Sequence, residues 1–363
     1  MDDAFHYVFP AIRGVQAGRE YYVSMCPLRL IPKIFLFDEE ELTPELRAQR
    51  TLNKARVPEI ARYITENPTG YVFSALTASV DADLEFEPTS EHNASLGILR
   101  IPMSGQFIIN DGQHRRAAIE AALRESPRLG DESIAVVFFS DIGLARSQQM
   151  FADLNRYAIR PAPSISILYD HRDRAAELVR RLVNDAPHFR DLVEMERSTL
   201  SLRSRRLFTF SALYQATTAL LGGSLEEDFD HALELATAFW TEVARRLPEW
   251  EQVRRGRLAA SEVRQDLIHS HGVVLHALGR VGATLIRTHA EWRPHLSQLA
   301  DIDWSRSNPD WSGRAVVRGR LSKATQNVIL TASYIKQRLG LELSPEEQRT
   351  EDAFLRGDYE RDG

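Results

Sequence analysis

One short segment crowds polar side chains into a turn between an apolar strand and a helix. It runs Gln106-Phe-Ile-Ile-Asn110-Asp111-Gly112-Gln113-His114-Arg115-Arg116. The start of a helix offers unpaired N–H groups and the positive end of the helix dipole, and a glycine lets backbone approach a ligand closely. His114, Arg115 and Arg116 add further donors, so the segment predicts a phosphate-binding loop. The alternative is an ordinary Asp-Gly turn followed by a solvent-exposed basic helix.

Clusters of basic side chains lie in the second half of the chain. One consists of Arg197, Arg203, Arg205 and Arg206, with serine and threonine between them. Another consists of Arg314, Arg318, Arg320 and Lys323, and a smaller one lies at 254–257. Guanidinium and hydroxyl groups are the usual partners of DNA phosphates, so the first two clusters are predicted to bind DNA. The alternative for each cluster is a solvated charged face.

The only cysteine of the chain is Cys26. A lone cysteine is commonly a small buried hydrophobe. The alternative is a reactive thiol, because Arg29 lies nearby and a neighbouring cation lowers a thiol pKa. No metal site is predicted, since His269 and His271 would point to different sides of a helix and no cysteine or carboxylate joins them.

Length and composition limit the class of protein. With 363 residues, 43% of them hydrophobic, the chain is long enough for two domains with separate cores. This hydrophobicity argues against disorder of the whole chain, and a single cysteine excludes an internal disulfide. No apolar run approaches the roughly 20 residues of a membrane span, and the first ten residues are acidic where a signal peptide would be basic. We therefore expect a soluble, cytoplasmic protein with no membrane partner.

The net charge of −6 is unevenly distributed. Residues 171–341 carry more basic than acidic side chains, whereas the segments on either side are acidic. Only four of the 45 basic residues are lysines. Arginine suits bidentate phosphate recognition better than lysine does. A nucleic-acid partner is therefore permitted, although the codon bias of a GC-rich genome explains the arginine content equally well.

The secondary structure that must position these residues divides the chain into two parts. Residues 1–165 predict a mixed α/β domain, with strands at 20–28, 32–37, 71–80, 95–101, 106–110 and 133–140 and helices at 44–66, 114–124 and 144–158. Residues 166–341 predict an electropositive helical domain, with helices at 173–184, 207–221, 229–246, 262–289 and 321–339. Two prolines at 161 and 163 mark the junction, and 342–363 form an acidic tail. The glycines of the 262–289 helix predict that another helix packs closely against it.

Several motifs are similar to those of a known family. Asp111-Gly-Gln-His-Arg115 resembles the signature of the DGQHR-domain proteins, which are relatives of the ParB/sulfiredoxin superfamily. Residues 151–156, Phe-Ala-Asp-Leu-Asn-Arg, resemble the second phosphate box of these folds. More narrowly, the segments 9–14, 22–29 and 271–279 resemble the DndB family of the bacterial DNA phosphorothioation system. The resemblance covers the whole chain.

The resemblance implies an α+β protein, with a ParB/sulfiredoxin-like α/β domain followed by an all-α domain. It implies a nucleotide- or phosphate-binding pocket that contains Gly112, Gln113, His114, Arg115, Asn155 and Arg156. It also implies a DNA-binding transcriptional repressor that occupies the double-stranded promoter DNA of the phosphorothioation gene cluster. The implied protein partners are a cysteine desulfurase, which would deliver sulfur to Cys26, other modification proteins, and a second copy of the chain.

Two functions of other classes stay open. An ATPase that assists the DNA-modification machinery would use Asp111 to orient magnesium or water, with ATP or another nucleotide as its cofactor. A non-catalytic scaffold of the modification complex would use the loop only to bind an acidic group of a partner. Sulfinic-acid reduction is not expected, because the Asp-Gly loop contains His114 and no cysteine.

Overall fold

The polypeptide folds into two units, which the computed structural model divides between Ile159 and Arg160. The structure describes residues 5–35, 55–140, 149–150, 153–154, 162–222 and 228–357. Each unit buries a hydrophobic core of its own. Within these described ranges, no helix combines the length and the apolar character needed to cross a bilayer.

The first unit is built on a mixed sheet of seven strands in the order β4-β5-β1-β2-β7-β3-β6. The strands are β1 (His6–Gln16), β2 (Arg19–Pro27), β3 (Leu76–Asp81), β4 (Glu85–Pro88), β5 (Leu96–Pro102), β6 (Gln106–Asp111) and β7 (Ser133–Ser140). Neighbours are antiparallel except β3 and β7, which are parallel. Because β6 is an edge strand, the Asp-Gly turn that follows it lies at the edge of the sheet.

The local sequence explains how these strands form. Ala17 and Gly18 join β1 to β2, and both have positive φ, 52° and 74°. Two left-handed residues in succession make a tight turn whose twist matches that of paired strands. On β7, Ile134, Val136 and Phe138 are buried and alternate with less buried residues. This alternation places one face of the strand in the core.

The helices of the first unit are α1 (Ile31–Ile34), α2 (Arg56–Glu66) and α3 (Gln113–Glu125). The prediction of a strand at 32–37 is wrong for residues 32–34, which belong to α1, and residues 36 and 37 lie outside the described residues. Pro32 stands in the first turn of α1, where a missing N–H removes no helical hydrogen bond. The helix predicted at 114–124 is confirmed as α3. The predicted helix at 144–158 lies largely outside the described residues.

Helices dominate the second unit. They are α4 (Pro163–Leu168), α5 (Arg174–Asp185), α6 (Phe210–Leu221), α7 (Phe229–Arg246), α8 (Pro248–Arg254), α9 (Ala260–Asp266), α10 (Gly272–Thr288), α11 (Thr325–Arg338) and α12 (Pro345–Arg356). Two short pairs of strands accompany them: β8 (Val193–Glu194) with β9 (Phe208–Thr209), and β10 (Val316–Val317) with β11 (Arg320–Leu321). The expected class, a mixed α/β part followed by a helical part, is confirmed, with these two strand pairs as additions.

Helices α6 and α10 pack closely because α10 carries glycines where they meet. A Cβ atom added to Gly279 would overlap the Ala216 carbonyl oxygen. One added to Gly282 would lie 2.5 Å from Leu220 Cδ1. Any larger residue would force the helices apart. The close packing predicted from the glycines of this helix is therefore confirmed.

The long helix predicted at 262–289 is interrupted. Residues 267–271 separate α9 from α10, and Leu267 forms an isolated antiparallel bridge with Ser305. The Ile268 N–H donates to the Trp304 carbonyl at 3.0 Å. Bonds to a distant segment thus replace helical hydrogen bonds here. As a consequence α10 has a start of its own at Gly272.

A buried histidine makes the second unit sensitive to acid. His188 is 9% exposed, and its Nε2 has no hydrogen-bond partner among the described residues. Burial lowers the pKa of His188 from its ordinary value of 6.5 to about 4. Between these two values the unfolded chain binds more protons than the folded chain. Above the pKa that His188 has in the unfolded chain, we expect the neutral ring to contribute its full stabilisation of the folded state. This stabilisation should fall, by up to about 1.4 kcal/mol per pH unit, as the pH drops toward the folded pKa.

Tryptophan fluorescence can test this expectation, because all five tryptophans belong to the second unit. Urea denaturation of the wild type and of His188→Leu, at several pH values, gives the free energy of unfolding. The variant should lose less stability on acidification than the wild type. His231→Leu, at an exposed position of α7, is the matched control and should behave like the wild type. Identical pH dependence in all three proteins would contradict the assignment.

Candidate phosphate loop and nucleic-acid interface

The Asp-Gly loop, residues 111–115, joins β6 to α3. Gly112 has a φ of +106°, in the region that favours glycine. A Cβ atom at this position would overlap Leu76 Cδ2. Position 112 therefore requires glycine for both its backbone conformation and its space. Helix α3 begins at the next residue, without a side-chain cap.

Arg115 uses most of its donors inside the protein. Its Nη1 donates to the carbonyl oxygens of Ser74 at 2.6 Å and Ala75 at 2.8 Å. Its Nη2 donates to Asp111 Oδ2 at 2.8 Å. The two charged groups of the loop thus neutralise each other. Together they fasten the start of α3 to the residues just before β3.

The other polar residues of this region also have partners. Gln113 Nε2 donates to the Ile109 carbonyl at 3.1 Å, and Asn110 Nδ2, which is buried, donates to Ser79 Oγ at 2.6 Å. Arg116 is buried and donates to the Phe35 carbonyl at 2.9 Å. Burial, with Arg56 as a secondary cause, lowers the pKa of His114. In this geometry a phosphate would have to compete with internal partners.

Asn155 and Arg156 lie outside the described residues. Their convergence with the Asp-Gly loop stays a prediction. The loop positions that are described form a strand–turn–helix, as the sequence predicts.

The arginine loop, residues 195–207, lies between β8 and β9 and has no regular secondary structure. Its shape is set by Arg264 of α9, which is 8% exposed. Arg264 Nη2 donates to the Ser201 carbonyl at 2.8 Å, and Nη1 donates to the Ser204 carbonyl at 3.1 Å. Nη1 also donates to the Arg206 carbonyl. Hydrogen bonds from one buried guanidinium thus replace the regular backbone–backbone hydrogen bonds that this loop lacks.

The arginines of this loop differ in their availability. Arg197, Arg203 and Arg205 are exposed. Among the described residues, no carboxylate oxygen lies within 4.0 Å of their charged nitrogens. Arg206 is partly buried and donates to the Asp191 carbonyl. The first three arginines therefore present charge to solvent, whereas Arg206 supports the loop.

The basic hairpin, residues 316–323, contains β10, β11 and the two residues that follow. Arg318 and Gly319 form its turn with positive φ of 49° and 68°. Arg318 and Arg320 are exposed. Arg306 donates from Nη2 to the Gly319 carbonyl at 2.8 Å and so holds the tip of the hairpin.

The arginine loop and the basic hairpin border one pocket. Ser198, Thr199 and Leu202 line it from the loop, and Lys323 lines it from the hairpin. The sequence separates these segments by more than 100 residues. The structure thus brings segments of two predicted basic clusters to one pocket, which Lys323 lines and the exposed arginines of these segments do not.

The comparisons with known proteins identify the family of this chain. Residues 9–342 match the sequence profile of the DndB family, described as DNA-sulfur modification-associated. The chain belongs to the DndB family. The match covers elements of both units and contains the Asp-Gly loop, the arginine loop and the basic hairpin. No curated protein and no solved structure matches the chain. The DndB resemblance of the motifs, and with it an involvement in DNA sulfur modification, is confirmed.

The predicted assignment of Arg314 of this DndB-family chain to the DNA-binding residues has to be corrected. It is 7% exposed and forms a two-pronged ion pair with Glu351 of α12, with N–O distances of 2.6 and 2.5 Å. Its guanidinium also lies 4.5 Å from the centre of the Phe354 ring. A guanidinium held in this way is a structural group of the core and does not reach a DNA phosphate.

Cys26 fits the first of its two sequence-based interpretations, the buried hydrophobe. It is fully buried on β2, opposite Ile134 of β7. Burial raises the pKa of its thiol to about 12. Arg29, the expected activating cation, is paired with Asp131 at 2.8 Å. Because the thiolate is the reactive form, Cys26 is a packing residue in this fold rather than a reactive thiol.

Sequence reasoning missed the residues that organise the pocket, above all Arg264. A signal is present in the sequence: Ala260 and Val263 are buried on the same face of α9. An arginine on the apolar face of a helix needs internal acceptors, which points to a structural guanidinium. Arg306 carries no comparable signal, because its acceptor lies in a turn 13 residues away.

The first prediction from this geometry concerns Arg115. Arg115→Ala should lower the free energy of unfolding of the first unit by roughly 2–3 kcal/mol, because it removes charge-assisted hydrogen bonds and leaves the Ser74 and Ala75 carbonyls unpaired. Hydrogen exchange at residues 74–81 and 106–116 measures the loss. Arg124→Ala, at an exposed position of the same helix, is the control and should change stability little. A fully stable Arg115→Ala protein would show that Arg115 is free to serve a ligand instead.

The second prediction concerns Arg314. Arg314→Ala should destabilise the second unit by about 3–5 kcal/mol, because it leaves the Glu351 carboxylate buried and unpaired. The double variant Arg314→Leu with Glu351→Leu should recover part of this loss, since it removes both charges. Tryptophan fluorescence in urea measures both changes, and Arg338→Ala, at an exposed position of α11, is the control. Wild-type stability of Arg314→Ala would contradict a structural role.

Proposed function

We propose that the protein is a DNA-binding regulator that represses transcription of the DNA phosphorothioation gene cluster by occupying its promoter. Family membership supplies the pathway. The observation that supports the DNA contact is that the two segments that border one pocket of the second unit also carry exposed arginines. They are Arg197, Arg203 and Arg205 on the arginine loop and Arg318 and Arg320 on the basic hairpin.

The arrangement suits a phosphate backbone for a physical reason. The arginine loop is rigidly held by Arg264, so its side chains project from a fixed base and lose less freedom on binding. Arginine presents planar donors that match phosphate oxygens. The serines and threonine between these arginines add neutral donors at the same surface.

The other candidate functions receive less support. An ATPase would need the Asp111 carboxylate for magnesium or water, but this carboxylate is held by Arg115. The sequence predicts a contact with a cysteine desulfurase through Cys26, and the burial of Cys26 removes that reason. A non-catalytic scaffold remains the competing interpretation, and the DNA experiment separates it from the proposal.

Binding of promoter DNA, measured over a range of salt concentrations, tests the proposal. Arg203→Ala with Arg205→Ala should weaken binding and lower the salt slope by up to roughly 2, because each phosphate that an arginine no longer neutralises reduces the slope by about 0.9. Arg206 is kept, because it supports the loop. Arg124→Ala with Arg128→Ala removes the same charge from exposed positions of the first unit and should leave the slope unchanged.

The other outcomes are equally informative. Equal affinity for promoter and unrelated DNA would contradict the repressor assignment. No DNA binding at all would favour the scaffold. An unchanged slope in the Arg203 and Arg205 variant would place the DNA surface elsewhere. The mass of the protein–DNA complex counts the copies of the chain and so tests the expected homo-oligomer.

A further inference from the structure

The pocket between the arginine loop and the basic hairpin has a volume of about 340 Å³. Besides those two segments, its walls are formed by the end of α9, by residues 270–272 and by Arg306. Cavities of this size hold small metabolites. All the residues that line the pocket belong to the second unit.

The pocket is positively charged. Arg264, Arg306 and Lys323 line it, and no aspartate or glutamate does so among the residues that the structure describes. The two arginines donate to backbone carbonyls, which carry no net charge. Two guanidinium charges are thus solvated by dipoles without being neutralised. Arg264, which is 8% exposed, is largely removed from water, and a cation in this environment favours an anion nearby.

Lys323 supplies the most available of these charges. Its Nζ would lie 2.8 Å from a Cβ atom at Gly272, so the ammonium rests against the first residue of α10. No carboxylate among the described residues lies within 4.0 Å of it. Lys323 as a whole is exposed, and partial desolvation of its ammonium lowers its pKa. An anion at the start of α10 would restore the counter-charge that this ammonium lacks.

The start of α10 adds neutral donors. The helix has 17 residues, and its cap residue, His271, provides no side-chain cap. Its first N–H groups and its dipole therefore favour a negative group. Ser270 gives an independent indication. It lines the pocket, is 4% exposed, and its hydroxyl has no hydrogen-bond partner among the described residues. Because buried hydroxyls are normally hydrogen-bonded, this one indicates an acceptor that a ligand would provide.

His271 does not supply charge. Burial lowers its pKa to about 4, and its Nε2 lies 2.8 Å from the Arg264 carbonyl oxygen. Because a carbonyl only accepts, Nε2 carries the proton and donates it. The neutral ring thus links α9 to the start of α10 and fixes the backbone that forms this wall.

We propose that the pocket binds a small phosphate monoester, with its phosphate between the Lys323 ammonium, the Ser270 hydroxyl and the first turn of α10. The phosphate oxygens accept hydrogen bonds from these groups. Leu200, Leu202 and Leu207 offer apolar surface for the organic part of the ligand. A phosphate within duplex DNA is a poorer match, because sugars hold it on both sides and keep it from reaching a hydroxyl that is almost fully buried.

Calorimetric titration of the full chain with adenosine 5′-monophosphate tests this site, with inorganic phosphate and adenosine as comparison probes. The monophosphate should bind, inorganic phosphate more weakly, and adenosine without measurable heat. Lys323→Ala and Ser270→Ala should each weaken the binding at least tenfold. Lys33→Ala, an exposed lysine of the first unit, is the matched control and should bind like the wild type. Tryptophan fluorescence verifies that each variant is folded.

Three results would overturn the site: no binding of the monophosphate or of phosphate at millimolar concentration, equal binding by Lys323→Ala, or complete displacement of the monophosphate by one equivalent of duplex DNA. The last would make the pocket part of the DNA surface.

The arginine loop forms one wall of the pocket, so a bound monoester should also alter DNA affinity. This consequence rests on the proposed function. Unchanged DNA affinity in the presence of bound monophosphate would refute the coupling but leave the site intact, whereas failure of DNA binding itself would refute the proposed function alone.

Discussion

One buried guanidinium organises the second unit of this protein. Arg264 donates to carbonyl oxygens of a loop that has no regular hydrogen bonding of its own. Removing a guanidinium from water costs several kcal/mol, and only a full set of acceptors offsets that cost. The loop is therefore restricted to conformations that present these carbonyl oxygens to Arg264. Its fixed backbone forms one wall of the pocket and sets where Arg203 and Arg205 leave the surface.

The interruption between α9 and α10 completes this arrangement. Leu267 and Ile268 fit a helical pattern of apolar residues, and so the sequence predicts one continuous helix. In the fold, the Trp304 carbonyl accepts the Ile268 N–H, and Trp250 donates to the buried His269 at 3.0 Å. These long-range bonds favour a bridge at Leu267 followed by a turn, in which the His271 N–H donates to the Ile268 carbonyl at 2.9 Å. Without this interruption, Ser270 would lie inside a helix, and α10 would have no exposed start to offer an anion.

The sequence predicts elements well where the signals are local. Strands β5, β6 and β7 and helices α3, α5 and α7 follow from alternation, from turn residues and from helical periodicity. β1 is not among the predicted strands, and it contains Pro10, a residue that interior strands rarely carry. Ser24 Oγ donates to the Pro10 carbonyl at 2.8 Å, and Pro10 lies opposite Ile98 of β5. In the same way, the Asp-Gly loop is recognisable as a turn before a helix, but the partners of Arg115 come from residues 74 and 75, which no local pattern indicates.

Counting charges along the sequence gives a wrong expectation of the surface charge, because charges that are distant in the sequence pair with each other in the fold. The basic cluster that begins at Arg314 and the acidic segment after residue 342 look like separate surfaces. In the fold, Arg314 pairs with Glu351, and Lys336 with Glu347 at 2.8 Å, all four of them buried. These opposite charges cancel inside the protein and contribute nothing to its outer field. The cations that stay exposed include Arg203 and Arg205 on the arginine loop and Arg320 on the basic hairpin. Which charges reach the surface therefore depends on which of them are buried, and only the three-dimensional structure determines that.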